Sequence, residues 1–150
     1  MKKILISMLI ILLCVSGNMA QAVVHSTQEN FNFVFHICTS AINETSDYYD
    51  LLQKGDDNMI DIRRRNCSVL EETLLDFSHT HAQGAESTVC VLETILIIQG
   101  RGLSLEYYLS AIKAYRAGNM ALYEQYKQLL QKYFNEAERD RQNFRNKYGY

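Results

Sequence analysis

The sequence predicts an all-α protein, an up-and-down bundle of about five helices that follows a cleaved signal peptide. Three observations lead to that fold class. The 150-residue chain has no proline and only seven glycines, so little in it removes a backbone donor or favours a turn. Its apolar residues recur at spacings of three and four, the period of a helix face. Its first residues, Lys2 and Lys3, precede the apolar run "ILISMLIILLCV" and the more polar "SGNMAQA", which are the three parts of a secretory signal.

The apolar run is shorter than the ~20 residues a membrane-spanning helix requires, which favours cleavage over anchoring. The small-x-small site is Ala20, Gln21, Ala22. Cleavage there makes residues 1-22 the signal peptide and 23-150 one helical-bundle domain of 128 residues starting at Val23, enough for a core. Lipid attachment at Cys14 is disfavoured because the preceding residue is the bulky Leu13. The expected location is the periplasm or the exterior, with no membrane span after cleavage.

The elements follow in order. "STQE" is a capping box in which Ser26 accepts from the amide of Glu29. Phe31, Val34, Phe35, Cys38, Ile42, Tyr49 and Leu52 then form one stripe, with a gap at Thr45. "KGDDN" ends this helix at Gly55, and Asp56 or Asp57 caps the next. The second helix carries Ile60, Cys67, Leu70, Leu74 and Phe77 and stops near "HTHAQGAE". The third, "STVCVLETILIIQ", is apolar nearly all round, as a central helix is. "GRGLS" is expected to turn, with Ser104 as the N-cap of a fourth helix carrying Leu105, Tyr108, Ile112 and Tyr115. Gly118 stops that helix, Asn119 caps the fifth, and Leu122, Tyr126, Leu129, Tyr133 and Ala137 line it before it frays into "ERDRQNFRNKYGY". The last hairpin has the look of a single tetratricopeptide-type unit, but no second copy exists to make an array.

Loss of Lys2 and Lys3 takes the formal charge from −2 to −4. A mildly acidic domain is poorly suited to nucleic acid, whose backbone is bound by accumulated Lys and Arg. The run Arg63, Arg64, Arg65 does not change this, since successive helical residues point ~100° apart. No nucleophile motif, phosphate loop or dinucleotide fingerprint is present, so no enzymatic activity is expected. Glu93, on the apolar third helix, requires an Arg or Tyr partner from a neighbouring helix.

The exported chain keeps Cys38, Cys67 and Cys90 in a compartment where disulfides persist. At ~1.5 Å per residue, Cys38 and Cys90 both lie ~27 Å up the bundle and Cys67 ~16 Å. Level positions on adjacent helices can be bridged, whereas a ~10 Å offset cannot. The expectation is a Cys38–Cys90 disulfide with Cys67 free.

Two binding surfaces are candidates. Eight of ten tyrosines follow Gly100, and Tyr107, Tyr123, Leu130 and Phe134 lie beside the core stripes of the last two helices. This surplus is either additional core or a partner-binding patch, for which Tyr is well suited. The alternative is a metal or small-ligand site at one end of the bundle, where His25, His79 and His81 could converge on Cu, Ni or Zn. His25 would also be the third residue of the new N-terminus, a square-planar Cu or Ni motif together with the terminal amine. The sequence thus favours an exported helical protein that binds another protein of the cell envelope or of a host or competitor. Inhibitor or immunity-type action fits, as does a homodimer.

Overall fold

The computed structural model describes residues 27–150. The signal segment, its cut after Ala22, His25 and the Ser26 cap lie outside the described residues. Within them the chain is all helical, in five elements. These are α1 (Thr27–Glu44), α2 (Tyr48–Lys54), α3 (Asp57–His81), α4 (Ala85–Arg116) and α5 (Met120–Tyr148).

Several predicted boundaries hold for the predicted reasons. Gly55 ends α2 with a φ of 67° that favours glycine. Asp56 caps α3, its carboxylate accepting from the amides of Asn58 at 3.1 Å and Met59 at 3.2 Å. Asn119 caps α5 by accepting from the amide of Leu122 at 3.1 Å. The second stripe, Ile60, Cys67, Leu70, Leu74 and Phe77, is buried throughout.

Three boundaries differ. The expected first helix is two, because Thr45 and Ser46 turn their hydroxyls back onto the carbonyls of Ile42 and Asn43 and break the ladder. The expected third and fourth helices are one, because "GRGLS" stays helical. Ser104, rather than capping, donates to the carbonyl of Gly100 at 2.8 Å. The charged C-terminus does not fray but continues as helix to Tyr148, held by buried Phe144 and by Tyr148 against Phe31 and Phe35.

Both glycines of "GRGLS" face close neighbours. A Cβ on Gly100 would lie 3.0 Å from the Cβ of Ala137 on α5, and one on Gly102 would lie 3.1 Å from the Cβ of Cys67 on α3. Tertiary packing therefore overrides the ~1 kcal/mol that each glycine costs in a helix. The uninterrupted α4 is ~48 Å long at ~1.5 Å per residue. It is central, packing against all four other helices, with Cys90, Val91, Thr94, Ile97, Ile98, Arg101, Ser104 and Leu105 buried along one side. Length and composition alone would let α4 cross a membrane, but half of that apolar stretch is covered within the bundle. It is not covered all round: Val89, Leu92 and Leu96 stay exposed, as does Tyr115, which the apolar spacing places in a core stripe.

Asn30 fixes the upper end of the bundle. Its amide nitrogen donates to the carbonyl of His81 at 2.8 Å, and its oxygen accepts from the amide of Gln83 and the hydroxyl of Ser87, both at 3.0 Å. The start of α1 is thereby tied to the α3–α4 turn. At ~27 Å, α1 covers only part of α4, and α2 covers the region beyond its end.

The expected Cys38–Cys90 disulfide is not present. The three cysteines among the described residues, Cys38, Cys67 and Cys90, are buried free thiols. Helical register does bring Cys38 and Cys90 together, and their shared hydrogen bond shifts Cys38 down and Cys90 up. Register supplies proximity, but the covalent bond also requires bonding geometry and an oxidation, and neither is encoded by rise along a helix. Burial pushes Cys67, set against Gly102, up to about 11.

Candidate functional site

The site follows from the mismatch in helix lengths. Where α1 ends against the middle of α4, a recess of about 500 Å³ remains between α1, α2, α4 and α5. Ile42, Tyr48, Tyr49 and Phe134 give it apolar walls, and Arg101, Glu138 and Arg141 give it charge.

Arg101 is only 2% exposed, a strong requirement for a guanidinium. Its Nη1 donates to the carbonyl of Ile42 at 2.6 Å and to the hydroxyl of Thr45 at 2.7 Å. Arg101 thus caps the last turn of α1, where the helix dipole favours a cation. The Tyr48 ring faces the guanidinium, with Cζ 5.1 Å from the ring centroid. Burial lowers the Arg101 pKa, yet arginine stays charged in proteins. Its Nε is buried without a partner, and no ion pair to it exists among the described residues.

The one side-chain carboxylate lining the recess is committed elsewhere. The Tyr48 hydroxyl donates to Glu138 Oε1 at 2.7 Å, and Arg141 donates through Nε at 2.9 Å and Nη2 at 2.8 Å to Oε2. Burial works to raise the Glu138 pKa, but these hydrogen bonds outweigh it and hold the carboxyl below its ordinary range. Burial, reinforced by Glu138, pushes the Tyr48 phenol well up, so it remains a protonated donor.

The sequence-predicted residues fall in different places. Phe134 lines the recess, its ring 5.7 Å from Tyr48 and 5.6 Å from Tyr49. Tyr107 stacks on Tyr133 at 5.4 Å within the α4–α5 seam, and Tyr123 lies 5.5 Å from Tyr115. These two and Leu130 are half-buried outside the recess. Much of the aromatic surplus therefore serves contact between the two long helices. His79 is exposed, while His81 stacks on Phe77 at 5.0 Å with its Nδ1 at the Thr80 hydroxyl. His25 lies outside the described residues, and among those described no three His, Cys, Asp or Glu side chains cluster to hold a metal. Glu93 finds Lys147, whose Nζ donates to its Oε1 at 2.7 Å, with the phenol of Tyr148 beside it.

The sequence matches no family model, no curated protein and no solved structure. Sequence reasoning missed Arg101 because two flanking glycines mark it as a turn residue. The signal that would have found it is spacing: Thr94, Ile97, Arg101 and Ser104 continue the buried stripe through "GRGLS" without a break.

Proposed function

We propose that this protein is exported by removal of residues 1-22 and acts in the periplasm or outside the cell as a single binding domain for a protein partner. Contact is made on the face where α2 and α5 flank the recess. The observation that carries this reading is the buried guanidinium of Arg101, which has no carboxylate of its own, beside Phe134 and Tyr49, the latter 48% exposed. Aromatic anchors around a pocket containing arginine are the composition of interface hot spots. The charged N-terminal start, apolar run and Ala20-Gln21-Ala22 site support export. Binding without catalysis, as in an inhibitor or immunity-type protein, accords with a recess whose only side-chain carboxylate is tied to Arg141 and Tyr48.

The test is comparative capture from envelope extract with the chain beginning at Val23. Wild type and Glu86→Gln, a change at the other end of the bundle, should retain the same partner, and Tyr49→Asp should lose it. Retention by Tyr49→Asp as well would place the contact elsewhere. N-terminal sequencing of the exported protein should read Val23 first; an intact Met1 terminus would overturn the export route.

A further inference from the structure

We infer that the recess beneath the end of α1 is a binding site for a monocarboxylate carrying an apolar or aromatic body. The recess is lined by two guanidinium groups, Arg101 and Arg141, and by one side-chain carboxylate, Glu138. Both oxygens of Glu138 are engaged by Arg141 and Tyr48. The guanidinium without a carboxylate in hydrogen-bond contact is therefore that of Arg101, on which Glu138 acts only through space and whose Nε is buried with no partner. The C-terminal dipole of α1, equivalent to about half a charge, offsets it only in part. A cation taken out of water without an anion is held at considerable cost, and an entering carboxylate would remove that cost through charge-assisted hydrogen bonds.

Charge and shape together select the ligand class. One guanidinium in excess over the side-chain carboxylates matches a monoanion, whereas a phosphate dianion would bring excess negative charge toward Glu138. At about 500 Å³ the recess has the size of organic-ligand pockets rather than of a site for a small inorganic ion. Its walls, Ile42, Tyr48, Tyr49 and Phe134, would remain uncovered by a bare anion. The site stands on the recess and its charges and not on the protein-partner reading. Two sources share this chemistry, a free aromatic acid and the C-terminus of a partner chain.

Titration calorimetry on the chain beginning at Val23 tests the site with 3-phenylpropionate, N-acetyl-phenylalanine and the peptide acetyl-Gly-Gly-Gly-Phe. Each acid is compared with its neutral amide. The acids should bind at least about ten-fold more tightly than the amides. Ser46→Asp, which adds an anion on an exposed lining residue, should weaken the acids by a similar factor, and Arg101→Met should abolish their preference over the amides. Should Arg101→Met fail to fold, the amide comparison and Ser46→Asp decide. Equal binding of acids and amides, no acid binding at millimolar concentration, or undiminished acid binding in Ser46→Asp would each overturn the inference. Tighter binding of the peptide than of 3-phenylpropionate assigns the carboxylate to a chain terminus, and equal binding assigns it to a free acid; both outcomes support the site. Loss of partner capture with acid binding intact would overturn the partner reading alone.

Discussion

Arg101 and Asn30 hold the ends of α1 by opposite chemistry. Arg101 donates to the carbonyl of Ile42 in the last turn of α1 and to the hydroxyl of Thr45 just beyond it, while Asn30 both donates to and accepts from the α3–α4 turn. Asn30→Ala leaves the carbonyl of His81, the amide of Gln83 and the buried hydroxyl of Ser87 short of a partner. A loss of about 2 kcal/mol in urea denaturation is expected; an unchanged midpoint would show that water replaces all three bonds. Glu138 makes stability depend on pH. Its folded pKa is depressed, so its contribution is complete above the unfolded carboxylate range and is lost as pH falls through the folded value. Glu138→Gln should therefore be less stable than wild type near neutrality, and the gap should close in acid. A gap independent of pH would mean that the Tyr48 and Arg141 contacts act through shape rather than charge.

The decisive event among the elements is the continuity of α4. Composition at "GRGLS" favours a turn, but at Gly100 and Gly102 the neighbouring helices α5 and α3 approach closely. Gly100→Ala gains about 1 kcal/mol of helix propensity and is still expected to destabilise. The new methyl would meet Ala137 Cβ at 3.0 Å and Ala137 Cα at 3.3 Å, and overpacking costs about 1–3 kcal/mol. Chemical denaturation of the single variant gives the sign directly: stabilisation would show that α5 can move aside. The division of α1 from α2 has the opposite origin, since hydroxyls at Thr45 and Ser46 compete for carbonyls within a stretch whose apolar spacing otherwise continues. The continuity of α4 and the break between α1 and α2 together create the recess.

For the molecule as a whole, α4 is the element on which all others depend. Amides of α4 between Cys90 and Leu105, buried along one side and covered by neighbours, should exchange with solvent most slowly, near the rate of global unfolding. Those in the first turns of α5, where Met120, Ala121, Glu124 and Gln125 are exposed, should exchange faster. Native-state hydrogen exchange measures this, and equal protection of the two segments would contradict a central α4. The sequence by itself determined the helical class, the caps at Asp56 and Asn119, the stop at Gly55 and the buried stripe of α3. Each of these depends on residues within a few positions of one another, where backbone chemistry and periodicity suffice. It also placed Cys38 level with Cys90, because helical rise is constant. Only the tertiary structure decided that "GRGLS" stays helical, that the two cysteines meet as thiols, that much of the tyrosine surplus packs between α4 and α5, and that Arg101 lies buried at a recess. Those outcomes depend on which surfaces approach across the bundle, and close approach between residues such as Gly100 and Ala137 is a property of packing rather than of local pattern.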